Sequence, residues 1–488
     1  MFRHPALHQL NTRVYLTERS RELGRRATLD DIADSLLDTL AADGINIIWL
    51  LSVWSTGDKS RAISRANREW LEEFAHTLPD LQVEDIAGSG FAIRNYTVAE
   101  EIGGAPALAA LRKRLASRGI RLMLDFVPNH MGLDHPWLDS HPEFFVQGNA
   151  EQLRAAPQNY FVHDASGRVF AHGRDPYFPG WPDTVQLDYS NPALQAQLQQ
   201  ELMNIAAQCD GVRCDMAMLV TPEVFERTWG KRIADFWSPT IRAVKNKHPD
   251  FVFMAEVYWD MESQLHDVGF DYCYDKRLYD RLRDRDYVGV RGHLCAGLDY
   301  QTKLARFLEN HDEPRVADTF THAHHVPAAA LTFLSPGLRF FHQGQAEGRR
   351  KRISPHLVRA PQEAPNEQTR ALYARLLQLQ QDPIFHVGEW QLLEISRAWA
   401  DNWSSDCLIA WTWREASGRA VLCIVNLADH EAQGSIHLPS WLQPMAARRW
   451  TNRWTEEAFA MPADQWQQGR WTLFAQASQV FVIEGQSS

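Results

Sequence analysis

The sequence has little of what marks several large classes of protein. Its six cysteines, Cys209, Cys214, Cys273, Cys295, Cys407 and Cys423, form no C-x-x-C pair, so zinc-ribbon spacing is excluded. Cys214 and Cys273 sit in apolar, strand-like runs, where a reduced buried thiol is expected. The most apolar stretch, residues 45–54, is far shorter than the roughly 20 residues that span a bilayer. The opening MFRHPALHQLNTRVYL has no apolar h-region and no small-residue cleavage site, so a soluble cytoplasmic protein without a membrane partner is expected. Positive charge is in short supply: 50 Lys+Arg face 61 Asp+Glu, a net charge of −11 with no acidic tail. Such a surface makes nucleic acid and anionic membranes poor partners. There is no Gly-rich dinucleotide or phosphate-loop fingerprint, no internal repeat and no low-complexity run. With 45% hydrophobic and 23% charged residues, a wholly disordered or fibrous chain is also excluded.

What is present is rhythm. Apolar residues at Leu29, Ile32, Leu36, Leu37 and Leu40 have helical spacing, Gly44 closes that stretch, and a buried strand follows at 45–50. The unit repeats with a helix at 107–115, a stop at Gly119 and a strand at 122–126. Further strands are expected at 211–215, 251–256, 270–274, 303–308 and 338–342, and a first one at 13–16. Eight strands alternating with helices predict an α/β fold, a closed (β/α)8 TIM barrel, over an open doubly wound sheet. Residues 1–130 and 184–387 are assigned to the barrel. Residues 131–183, rich in Pro, His, Asn and Gly, read as a small domain inserted after the third strand. From 388 to 488 short alternating segments replace the helical pattern, the signature of a C-terminal antiparallel β-sandwich domain.

In a barrel of this kind, chemistry gathers at the C-terminal ends of the strands. Four such ends stand out: 125–130 (DFVPNH), 211–215 (GVRCD), Ala255-Glu256-Val257, and Glu309-Asn310-His311-Asp312. Carboxylates gathered at one mouth raise each other's pKa, so one stays protonated while another stays ionised. Glycoside hydrolysis uses that division, with an acid for the leaving oxygen and a carboxylate for the anomeric carbon. Arg213 lies two residues before Asp215, so on a strand both side chains take the same face. A fixed cation there keeps Asp215 ionised and oriented. Any single acid among 61 is ordinarily a solvated surface charge, but four ordered segments at strand ends are not explained that way.

These four segments resemble the four ordered signature regions of the α-amylase family of glycoside hydrolases, and the resemblance runs from Val14 to about Gly348. It implies Asp215 as nucleophile, Glu256 as general acid/base and Asp312 as the third carboxylate, gripping sugar hydroxyls. It implies Arg213 as the nucleophile's partner, and His130, His311 and Asn310 as sugar-binding residues. Asp125 and Asn129 match the first region's Asp and Asn, either as functional groups or as structural supports. Phe91 stands where the family has a tyrosine that stacks on the sugar. The expected partner is an α-linked oligosaccharide or α-glucan, cleaved with retention by double displacement. The oligomeric state stays open. A transglycosylase or glycoside phosphorylase of the same family is the alternative, and a non-catalytic carbohydrate-binding member a second one.

The sequence departs from the family at several points. Met218-Leu219 occupy the positions of a frequent Lys-His pair, which points to a shorter or unusual acceptor. Asn129 is a position the family often uses for calcium, but Leu219 replaces the matching histidine. Asp134 or Asp139 could help, yet about six to eight oxygen ligands are not visible, so no metal and no cofactor is expected. The run Arg349-Arg350-Lys351-Arg352 is either a cationic loop paired with the acidic surface or an anion site. Trp54, Trp137, Trp181 and Trp259 lie in or beside strand-end loops, placed to wall sugar subsites or to pack. Trp450, Trp454, Trp466 and Trp471 are expected to pack the C-terminal β domain, with an auxiliary sugar-binding face as the alternative.

Overall fold

The structure, a computed structural model, describes residues 3–444, 450–460 and 462–485. Eight parallel strands carry the fold: β1 (Ala6–Asn11), β2 (Ile47–Leu51), β3 (Arg121–Phe126), β4 (Gly211–Cys214), β5 (Val252–Ala255), β6 (Tyr272–Tyr274), β7 (Leu304–Arg306) and β8 (Leu338–His342). They close into a barrel in sequence order, β8 returning to β1. Nearly every strand residue is buried, as expected of a parallel sheet covered on both faces.

The helix stops lie where the glycines placed them. Helix Asp34–Ala42 ends before Gly44 (φ 79°), whose left-handed backbone lets the Ile45 N–H reach back to the Leu40 carbonyl at 2.9 Å. Helix Gly104–Ala116 repeats the device at Gly119 (φ 73°), with the Ile120 N–H on the Leu115 carbonyl at 3.1 Å. Both carbonyls would otherwise be orphaned at the helix end. In each case the next apolar run then starts a strand.

The first strand is a correction. It forms at Ala6–Asn11, and residues 13–16 lie inside helix Thr12–Leu23. The Asn11 side chain accepts from the Val14 N–H at 3.3 Å, a helix N-cap that ends the strand. Val14 and Leu16 are buried from the helix.

The chain divides into two compact units, one of residues 8–274 with 351–362, the other of residues up to 7 with 275–350 and 363 onward. The first holds β2–β6 and the segment after β3. There His130–Gly132 pairs antiparallel with Thr184–Gln186, and Tyr160–Val162 with Val169–Ala171. The second holds β7, β8 and, among the described residues, antiparallel C-terminal sheets of six strands and of three. Strand Arg470–Ala475 alternates exposed and buried residue by residue, the pattern of a sheet with one packed face. Trp450, Trp466 and Trp471 are buried in that core with Leu422, Ile424 and Phe481, so these tryptophans pack. None of the six cysteines forms a disulfide; Cys214 and Cys273 are buried and Cys295 is exposed. Among the described residues, no helix is long and apolar enough to cross a membrane.

Candidate active site

Parallel pairing sets Arg213 of β4 directly opposite Asp125 of β3 and Met254 of β5. Each of these strands then delivers an acid at or just beyond its C-terminal end: Asp125, Asp215 and Glu256. The Arg213 guanidinium is fully buried and takes one carboxylate on each terminal nitrogen. Nη1 donates to Asp215 Oδ1 at 2.6 Å, and Nη2 to Glu256 Oε2 at 2.6 Å. Nε donates to the Tyr274 hydroxyl at 3.3 Å, and Asp125 Oδ1 stands 3.9 Å from Nη1. Trp49, Phe91 and Tyr274 put ring faces 5.2, 5.0 and 5.8 Å from the guanidinium carbon. Burial opposes this charge, but Glu256, Tyr274, Asp215 and Asp125 outweigh it and hold the guanidinium far above its ordinary pKa.

The acids differ in their surroundings. Asp215 uses Oδ1 for Arg213, while Oδ2 makes no hydrogen bond among the described residues. Glu256 Oε2 also accepts from the Met216 N–H at 2.8 Å, and Oε1 from the Tyr258 hydroxyl at 2.8 Å. Met216 reaches it from a left-handed backbone, φ 42°, a conformation that costs a non-glycine residue of order 1–3 kcal/mol. Asp125 accepts from Trp49 Nε1 at 3.1 Å and the Ser52 N–H at 3.4 Å. Burial pushes it up to about 7, against the pull of Arg213.

The sugar-binding positions expected from the sequence fall into place unevenly. His130 is buried, and that burial lowers its imidazole pKa against the pull of Asp215; its ring lies 5.1 Å from that of Trp181. Phe91 is half-buried, one ring face turned to Arg213. Trp259 contacts Tyr177 edge-on at 5.1 Å, and Trp137 packs on His135 and Phe144. Of the two readings open for Trp54, packing holds: it is 1% exposed, with Nε1 on the Asp125 carbonyl at 2.8 Å. Met218 and Leu219 are buried, so neither offers a side chain to solvent.

In the other unit, the segment after β7 is shaped by its own turn. The Asn310 side chain accepts from the Asp312 and Glu313 N–H groups, each at 2.8 Å, which fixes the chain direction through His311 and Asp312. His311 is buried with Nε2 3.1 Å from Asp312 Oδ2, and the Asp312 side chain is 39% exposed. Glu309 is fully buried and raised by that burial, but Arg315 and the Val316 N–H bind it; it is a support. Arg350 pairs with Asp318 at 2.8 Å, and Arg352 pairs with Glu73, so two of the three arginines of the basic run already have carboxylates.

The donor set does not fit calcium at Asn129. Gln186 Nε2 donates to Asn129 Oδ1 at 3.0 Å, to the Asn129 carbonyl at 2.9 Å and to the Leu187 carbonyl at 3.1 Å. Three oxygens that could ligate a cation are directed at a neutral amide. Asp134 accepts from the Lys59 N–H at 3.0 Å, and the Asp139 side chain is 72% exposed, 3.9 Å from His163.

Sequence reasoning missed Trp49, Tyr274, Met216 and Tyr258. The first two belong to strands read only as apolar, though their even spacing from Leu51 and Tyr272 puts them on shared strand faces. Nothing local marked the Met216 conformation.

A buried guanidinium that clamps two carboxylates lies here at the C-terminal ends of the parallel strands, where (β/α)8 barrel enzymes place their chemistry. The comparison with known proteins narrows this: the model of the alpha amylase catalytic domain matches residues 28–272, and the chain belongs to the α-amylase family. It is 23% identical over 366 residues to the alpha-amylase MalA of Haloarcula japonica, covering 71% of this chain and 44% of that protein. It is 25% identical over 212 residues to the trehalose synthase of Pimelobacter sp., covering 38% and 35%. With the trehalose-6-phosphate hydrolase of Escherichia coli it shares 23% identity over 333 residues, 56% of this chain and 57% of that one. The chain thus spans between about a third and just over half of the length of these relatives. Among solved structures, the noncanonic maltogenic alpha-amylase AmyB of Thermotoga neapolitana has the same fold, with TM-score 0.70, 18% identity and 99% and 98% of the two chains covered.

Proposed function

We propose that the chain is a retaining α-glycoside-active enzyme, with Asp215 as nucleophile and Glu256 as general acid/base. The observation that carries this is the single guanidinium fork on which both carboxylates hang. A fork favours the close carboxyl spacing of roughly 5 to 5.5 Å used in double displacement, over the wider gap that admits a water for inversion. Asp215 Oδ2, the oxygen without a protein partner, attacks the anomeric carbon while Glu256 protonates the leaving oxygen. Forming the glycosyl ester removes the Asp215 charge, so the pKa of Glu256 falls and it deprotonates the incoming hydroxyl. Asp312, His311, Asn310, His130 and Phe91 are assigned to holding the sugar on the cleaved side. No metal takes part in this reading, because the Gln186 amide occupies the oxygens around Asn129. Residues 1–130 and 184–387 serve as the catalytic barrel, with 131–183 and 388–488 as accessory domains.

The acceptor is water in the leading reading and a sugar hydroxyl in the second. The second is favoured by Tyr177, 59% exposed and in contact with Trp259 three residues after Glu256, a ring pair fit for stacking an acceptor sugar. Proton NMR of the protein with maltose, maltotetraose, sucrose, trehalose and isomaltose, with and without phosphate, tests both. An α-anomer released first supports retention, and longer or rearranged sugars support transfer. A β-anomer released first overturns the mechanism.

A further inference from the structure

Away from Arg213, a second group of arginines lines a cavity of about 270 Å3, formed by Arg13, Arg26, Arg61 and Arg65 with Glu84 and Glu101. Arg13 lies on helix Thr12–Leu23, Arg61 and Arg65 lie on helix Asp58–Ala66, and Arg26 follows the first helix. Four cations face two exposed lining acids and Asp58, which pairs with Arg61, so the cavity keeps an excess of positive charge in a chain whose net charge is −11.

The partners of these arginines sharpen the point. Arg13 gives Nη1 to the Gly88 carbonyl at 2.8 Å and Nη2 to Thr56 Oγ1 at 3.0 Å. Arg65 gives Nε to the Ile86 carbonyl at 3.0 Å. The Arg26 side chain makes no hydrogen bond or ion pair among the described residues, and Arg61 alone holds a carboxylate, that of Asp58. Arg26 and Arg65 therefore face neutral oxygens or solvent, and Arg13 faces a carbonyl, a hydroxyl and the charge of Glu101 without a hydrogen-bonded carboxylate. Burial pushes Arg13 down to about 10, and Arg61 adds to this against the pull of Glu101. Like charges gathered in a half-buried cleft destabilise each other unless an anion joins them.

We propose that this cavity binds a phosphate-class dianion, either inorganic phosphate or the phosphoryl group of a small sugar phosphate. Guanidinium forks match phosphate oxygens two at a time. A volume of about 270 Å3 is several times the roughly 30 Å3 share of one water, so a phosphoryl group with a small appended moiety fits. The occupant bears on the catalytic cluster through the chain. Arg13 and Arg65 hold the Gly88 and Ile86 carbonyls, just before Phe91, and Ser52, which also lines the cavity, donates its N–H to Asp125.

The test is titration calorimetry and thermal unfolding of the full chain with inorganic phosphate, with glucose 6-phosphate and with chloride at matched ionic strength. The proteins compared are wild type, Arg26→Gln, Arg65→Gln and, as control, Arg350→Gln. Expected is saturable phosphate binding and a Tm rise in wild type and Arg350→Gln, weakened at least tenfold in Arg26→Gln and Arg65→Gln. Tighter binding of glucose 6-phosphate identifies the sugar phosphate as the source, and equal binding identifies the free ion. Exposed Arg26 keeps the test decisive should Arg65→Gln fail to fold. A wild type that responds to phosphate no more than to chloride, or an Arg26→Gln that binds as wild type does, overturns the proposal. Sugar turnover does not enter the measurement, so its outcome is separate from that of the glycosidase reading.

Discussion

Within one unit of this chain, arginine is held in two contrasting ways. Arg213 is fully buried and meets Asp215, Glu256 and Asp125 within 3.9 Å, so its charge is matched and spent on positioning acids. Arg13 and Arg65 are half-buried and hydrogen-bond carbonyls and a hydroxyl but no carboxylate, with Glu101 pulling on Arg13, so their charge is only partly matched. The difference teaches that a buried cation alone says little about function; what decides is whether its partners already neutralise it. A matched cluster holds reactive groups in place, whereas an unmatched one has binding capacity to offer.

The largest effect should come from the acid that Arg213 orients. Asp215→Asn keeps the shape but removes the nucleophilic charge, and kcat should fall by roughly four orders of magnitude or more. Far-UV circular dichroism and Tm should stay close to wild type, and a variant with wild-type turnover would remove the assignment. Next comes the fork itself. Arg213→Lys keeps a charge but offers one point for two carboxylates, so kcat should drop about a hundredfold or more with little change in KM. Breaking this buried pairing should also cost about 3–5 kcal/mol in urea unfolding. The same change at Arg65, which holds one carbonyl, should cost well under 1 kcal/mol. Equal costs at the two sites would erase the contrast between them.

The contrast also explains what could be read from sequence. The matched cluster is encoded in short segments, GVRCD and the strand ending in Glu256, because parallel strands bring their ends together by rule. The unmatched cluster is scattered from Arg13 to Arg65 over two helices and a turn, and no spacing rule unites those positions. The barrel itself was legible because its strands are apolar throughout and glycines stop the helices before β2 and β3. The first strand was misplaced because Val14 and Leu16 are apolar in a helix as they would be in a strand; the decisive sign was Asn11, a cap. Trp54 was open to a wall role until its indole N–H was found on a buried carbonyl, a contact that no local pattern encodes.

A smaller effect separates burial from pairing in the matched cluster. Asp125 is raised to about 7 because burial outweighs Arg213, while an unfolded Asp titrates near about 3.9. Between these values the folded chain keeps a proton that the unfolded chain has released. Stability from this group is therefore full at low pH and is lost as pH rises toward 7, by at most about 1.4 kcal/mol per pH unit. Asp125→Asn, which cannot ionise, should remove this slope. The difference in unfolding free energy between wild type and variant, followed by urea titration from pH 4 to 7, should shrink in wild type's disfavour as pH rises. A pH-independent difference would mean that the Arg213 charge, and not burial, governs Asp125.

The smallest expected effect is at Phe91, three residues along the chain from the Gly88 carbonyl that Arg13 holds. Its ring lies 5.0 Å from the Arg213 guanidinium carbon, and the segment before it hangs from Arg13 and Arg65. Phe91→Ala removes a cation–π contact worth about 0.5–2 kcal/mol and a face for the sugar. Phe91→Tyr keeps both and adds a hydroxyl. The alanine variant should raise KM several-fold with kcat changed less than threefold, and the tyrosine variant should restore wild-type KM. If the ring instead mainly steadies Arg213, the alanine variant will lower kcat and leave KM alone, because a loosened fork misplaces the acids without touching the sugar. The split between KM and kcat thus tells whether Phe91 serves the substrate or the cation.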